Sequence, residues 1–157
     1  MILLTGASRG IGKYLFNRYY ANEFVYGTYN TTVPEKLDYL KRLDISNYRD
    51  VANWVSGISE GHDEITLINC AGINYNSMAH RADVNEWFKV IKVNLIGTFN
   101  VIRAVLPEMR DRDYGRIINL SSIVSQIESR LVRDDKKHCG GECEVWYHDK
   151  QYSIGLL

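Results

Sequence analysis

Thr5-Gly6-Ala7-Ser8-Arg9-Gly10-Ile11-Gly12 decides the fold, because of what flanks it. Before it stands the apolar run Ile2 to Thr5, the length of a buried strand. After it, Ile11, Leu15 and Tyr19 recur every fourth residue, as on one face of a helix. Glycines at 6, 10 and 12 remove side chains where a backbone must turn tightly, approach a pyrophosphate and pack helix against strand. The helix N-terminus then turns free N–H groups and a positive dipole end toward phosphate. The same glycines without a ligand would make an ordinary tight turn, so the position between strand and helix carries more weight than the spacing alone.

The alternation continues outward. Residues 24–28, 65–69 and 116–121 are short apolar runs rich in β-branched side chains, as strands buried on both faces require. Between them Val51, Trp54, Val55 and Ile58 follow helical spacing, and Phe99, Ile102, Leu106 and Met109 form another stripe, each with one face expected in the core. Thr32 stands three residues before Glu35 and Asp83 three before Glu86, two N-terminal capping signals. Strand alternating with helix implies right-handed crossovers. The expected fold is therefore α/β: a doubly wound, Rossmann-type parallel sheet with helices on both faces.

Composition narrows the function. The 157 residues carry zero formal net charge and show no basic run before residue 130, which argues against nucleic acid and anionic membrane surfaces as partners. The apolar start ends at Thr5, too early for a signal peptide core or a membrane span, so a cytoplasmic location is expected. Three cysteines, an odd number, fit reduced thiols better than a disulfide framework.

The glycine spacing, three residues and then one, resembles that of the short-chain dehydrogenase/reductase family. Four further elements follow in the family's order: Leu43-Asp44-Ile45-Ser46, Asn69-Cys70-Ala71-Gly72, Val93-Asn94-Leu95, and residues 116–122 ending in Ser121-Ser122. The resemblance covers residues 1–126 and implies an oxidoreductase that moves hydride between a nicotinamide cofactor and a carbonyl or alcohol, with 3-oxoacyl thioesters, sugars and steroids all among relatives' substrates. It implies that Gly6, Ser8, Arg9, Gly10, Ile11 and Gly12 hold the pyrophosphate side of the cofactor. Asp44, with Ile45, would meet the adenine, although Asp44 also reads as a capping acid before Asn47. Asn69, Ala71 and Gly72 would lie along the adenosine, or simply shape the turn beside it. Asn94 would hold a water in the proton relay, or satisfy backbone groups as a polar helix residue. Ser122 matches the catalytic serine by register, with Ser121 as the other choice. Family-type homo-oligomers form through the helix after Asn94 and the helix that follows; only the first is found here, so such an assembly is expected to be weakened.

Cofactor choice turns on the end of the second strand. An acid there would bind both ribose hydroxyls of NAD(H) and repel the extra phosphate of NADP(H). Residues 29–32 contain none, and Asn30 and Thr31 offer neutral donors. Arg9 adds a cation whose family counterpart commonly pairs with that phosphate. NADP(H) is expected ahead of NAD(H).

From residue 127 the chain changes character. The family's Tyr-x-x-x-Lys, whose spacing puts both side chains on one helical face, is absent: Gln151 follows Tyr147 and Leu156 follows Tyr152 at that distance. Residues 127–157 are dense in charge without helical or strand period, and the family's last strands are not found within the 157 residues. A reading frame one nucleotide later permits a Tyr codon across Val132–Arg133 and a Lys codon across Lys136–Lys137, four residues apart. The expectation is a C-terminally truncated NADP-binding domain, 1–126, with a frameshifted or disordered tail, 127–157, and little dehydrogenase activity. His138, Cys139, Cys143 and His148 match no common zinc spacing, so no metal is expected.

Overall fold

The computed structural model describes residues 1–35, 37–58 and 61–121. Five parallel strands form one sheet in the order β3-β2-β1-β4-β5: β1 Ile2–Thr5, β2 Val25–Tyr29, β3 Leu40–Arg42, β4 Thr66–Asn69 and β5 Arg116–Asn119. The helices are α1 Gly10–Tyr20, α2 Tyr48–Ser56, α3 Val84–Ile91 and α4 Thr98–Asp111, the last two joined by the π-helical segment Lys92–Gly97. This is the doubly wound class expected. The chain builds outward from β1 to β2 and β3, then crosses back to β4 on the other side, so a crevice opens between the ends of β1 and β4.

Alternation along each strand divides the core in two. Leu3, Ile65 and Leu67 face α2 and α4 with Val51, Trp54, Val55, Val101 and Val105. Leu4, Val25 and Ile68 face α1 through Ala7 and Phe16. Neighbouring strand residues thus bury on opposite faces, which is why the runs read as continuously apolar.

Several helical expectations shift. The buried residues of α1 are Gly12 and Phe16, with Leu15 and Tyr19 packed beside them; Ile11 is 63% exposed at the mouth of the crevice. In α4 the buried face is Asn100, Val101, Val105 and Met109. Phe99 and Leu106 point outward, because the β-branched valines meet the sheet side and the stripe drawn from Phe99 runs one residue off it. No helix begins at Thr32 among the described residues. The Glu35 carboxylate is taken by Lys13 at 3.3 Å instead of reaching back to cap a backbone N–H. Asp83 does cap α3, accepting from the N–H groups of Asn85 and Glu86. The three-residue β3 carries no apolar run of its own, so only the motif following it pointed to a strand there.

The continuous helix Val84–Asp111, 28 residues, contains an 18-residue stretch of mean hydropathy 1.4 and is long and apolar enough to cross a membrane by length and composition alone. Val101, Val105 and Met109 within it are buried in the protein core, which accounts for part of that apolar character.

Candidate functional site

A cleft of about 470 Å³ opens at the C-terminal ends of the strands, at the point where the strand order reverses. The β1–α1 turn contributes Gly6, Ser8, Arg9, Gly10 and Ile11 to its wall; the end of β2 contributes Asn30 and Thr31. Asp44 and Ile45 enter after β3, and Ala71 and Gly72 after β4. Residues scattered over more than sixty positions of sequence are brought together because parallel strands all end on one edge.

Two of the expected residues stand behind this wall. Gly12 is buried, and a Cβ there would overlap the carbonyl oxygen of Gly6, so its lack of a side chain serves the packing of α1 on the turn. Asn69 is 5% exposed and donates through Nδ2 to Asn119 Oδ1 at 2.9 Å, joining β4 to β5. Ser122 lies outside the described residues; its neighbour Ser121 follows β5 on the surface.

The turn is held from below. Thr5 Oγ1 accepts from the backbone N–H groups of Cys70 and Ala71, each at 3.1 Å, clamping the loop after β4 to the end of β1. Gly6 and Gly10 have φ of +71° and +54°, where glycine carries no Cβ penalty. Nothing lies within 4 Å of a Cβ position on Gly10, so the space above it is open to a ligand. The N-terminus of α1 has no side-chain cap and no acid in its first turn. Its first N–H groups are therefore left for a partner, and the dipole there favours an anion. Arg9, also on the wall, adds a full positive charge.

At the other end of the cleft, Asp44 Oδ1 accepts from Ser46 N–H at 2.9 Å, which fixes the loop after β3. Asn100, buried on α4, donates from Nδ2 to the carbonyls of Ile45 at 3.1 Å and Ser46 at 3.2 Å. Asn94, in the π-helical segment, uses both ends of its amide on one residue. Oδ1 accepts from Ile73 N–H and Nδ2 donates to Ile73 C=O, both at 2.9 Å. Asn94 thereby pins the loop that follows Gly72. In the sequence Thr5 is the first residue of the glycine motif without a role of its own, and Asn100 belongs to no recognisable spacing; both are buried and act from behind the cleft, whereas Thr28, Leu43, Cys70, Ile73 and Val93 reach it. Burial pushes the Cys70 thiol up from its ordinary value, opposed in part by a hydrogen bond to the Gly12 backbone. Among the described residues, no group of three His, Cys, Asp or Glu side chains could hold a metal.

The sheet order, the glycine turn and the cleft at the reversal define a dinucleotide-binding Rossmann protein. The chain belongs to the short chain dehydrogenase family, which it matches over residues 1–132. It is 35% identical over 133 residues to the acetoacetyl-CoA reductase of Paracoccus denitrificans, covering 79% of this chain and 55% of that protein. It is 32% identical over 136 residues to the 3-oxoacyl-acyl-carrier-protein reductase FabG of Staphylococcus epidermidis, covering 78% of this chain and 56% of that one. Among solved structures, the closed form of serine dehydrogenase complexed with NADP+ superposes with a TM-score of 0.73 at 28% identity, covering 82% of this chain and 56% of that chain. The chain spans about half the length of the curated relatives it matches.

Proposed function

We propose that this chain is the NADP(H)-binding part of a short-chain oxidoreductase that transfers hydride between NADP(H) and a carbonyl or alcohol, of the 3-oxoacyl reductase kind. The observation that carries the reading is the uncapped, acid-free N-terminus of α1, facing a cleft at the strand reversal with Arg9 on its wall. The absence of an acid at residues 29–32 favours the extra phosphate of NADP(H), and the relatives' names supply the oxoacyl class.

The cofactor supplies or accepts hydride through its nicotinamide. The chain's own part begins with Gly10, whose open approach lets the pyrophosphate meet the N–H groups of α1, while Gly6 and Ser8 shape the turn below. Asn30 and Thr31 offer donors beside the ribose, and Asp44, with Ile45, borders the adenine. Asn69, Ala71 and Gly72 set the loop along the adenosine, Asn69 from behind. Ser122 orients the substrate oxygen by its hydroxyl. Asn94 keeps the loop at Ile73 in place, and in this reading it would also hold a water of the proton relay. A small-molecule carbonyl or alcohol is the partner, and a cytoplasmic location and a homo-oligomer belong to the same reading.

A specific observation also favours a second reading, a nucleotide-binding chain that does not turn over: none of the eleven tyrosines has a lysine four residues later. Hydride delivery leaves negative charge on oxygen, and loss of a positioned acid costs about 10²- to 10⁴-fold in rate. Calorimetry with NADPH and NADH tests binding: tighter NADPH is expected, and equal affinity or a preference for NADH would refute the cofactor assignment. NADPH oxidation with acetoacetyl-CoA tests turnover, against a resequenced gene with the frame restored. Comparable rates from both would refute the second reading.

A further inference from the structure

Beside the main cleft lies a second hollow of about 360 Å³, which shares Asn30, Leu43 and Asp44 with it and adds Lys41 and Arg42. Arg42 ends β3 and stands in register with Tyr29, the last residue of β2. Its Nε–H donates to the carbonyl oxygen of Asn30 at 3.2 Å. That bond fixes the guanidinium against the segment that replaces the acid of an NAD site, and it engages only one edge of the fork.

The charge of Arg42 is not spent on an ion pair among the described residues. The two carboxylates of the hollow are occupied locally: Asp44 Oδ1 accepts from Ser46 N–H, and Asp50 Oδ2 accepts from Asn47 Nδ2 at 2.8 Å. A guanidinium held by Nε presents its Nη groups in a plane suited to two oxygens of one phosphate. Arg9 lines the main cleft at the start of α1, whereas Arg42, at the end of β3, lines the adjoining hollow, and Asn30 borders both.

We propose that Arg42 is a cofactor-specificity residue, a second cation for the adenosine 2′-phosphate of NADP(H), acting together with Arg9. The proposal rests on the NADP(H) reading above. Preorganisation by the Asn30 carbonyl makes Arg42 more than a member of a general positive field, because less side-chain freedom is lost when phosphate binds.

The test uses the full chain and two probes that differ only in the phosphate, 2′,5′-ADP and 5′-AMP, titrated by calorimetry at one salt concentration. Wild type is expected to bind 2′,5′-ADP more tightly. Arg42→Ala and Arg42→Gln should each weaken 2′,5′-ADP about fivefold while leaving 5′-AMP unchanged. Lys41→Ala, which removes a neighbouring charge, should keep the wild-type ratio, and thermal melts confirm that each variant is folded. An unchanged ratio in both Arg42 variants, equal loss for both probes, or the same effect from Lys41→Ala would overturn the assignment while leaving the NADP(H) reading intact. A wild type that does not distinguish the probes would overturn both.

Discussion

Gly12 and Gly10 look alike in the motif but answer to different physics. A Cβ at Gly12 would overlap the Gly6 carbonyl oxygen, a backbone atom that cannot move aside, so Gly12→Ala should cost about 3 kcal/mol or more of stability. Gly10 has open space but a φ of +54°, so Gly10→Ala should cost only about 1 kcal/mol while weakening 2′,5′-ADP binding. Urea melts and the nucleotide titration separate the two; equal destabilisation would contradict the distinction. Cys70 gives a pH signature of the same local packing. Its folded-state pKa is raised by burial above the thiol value of 9.0, so the unfolded chain loses this proton first as pH rises. The stability it contributes is present below that ordinary value and declines as pH climbs through the folded one. A melting temperature that falls more steeply above pH 9.0 in wild type than in Cys70→Ala is the expected result.

At the scale of elements, the rod from α3 to α4 is tied to both ends of the cleft by two asparagines. Asn100→Ala would leave the carbonyls of Ile45 and Ser46 without their donor, at a cost of about 2 kcal/mol, and would loosen the loop that borders the adenine. Asn94→Ala removes both bonds to Ile73 in a more exposed setting and should cost about 1 kcal/mol. Hydrogen exchange distinguishes them. The Ile73 amide should exchange faster in Asn94→Ala and stay protected in Asn100→Ala. Protection unchanged in both would show that the loop is held by other contacts.

For the whole molecule, the outer side of α4 leaves Phe99 57% and Leu106 41% exposed, lining one shallow hollow with Ile102 and Pro107. Apolar surface gathered on one helix face favours association. Light scattering at increasing concentration should show self-association, reduced by the pair Phe99→Asp and Leu106→Lys. A monodisperse monomer across the range would count against it.

The class of fold was legible in the residues because both faces of a parallel sheet are buried, so strands appear as short apolar runs separated by helical periods. The glycine turn could be placed for the same reason: a strand before it and a helix after it are local signals. Asp83 showed its capping role by spacing alone, since its partners lie within three residues. Tertiary structure decided what depends on distant neighbours. It left Thr32 outside any helix, with Glu35 paired to Lys13 at the surface, and it selected Val101 and Val105 over Phe99 as the inner side of α4. It set Asn69 and Gly12 behind the cleft, and it tied Thr5, Asn100 and Arg42 to the segments that border it, through hydrogen bonds to residues twelve to sixty-six positions away. A short-range pattern records which face a residue prefers, whereas the partner that fixes its role is supplied only when the strands align.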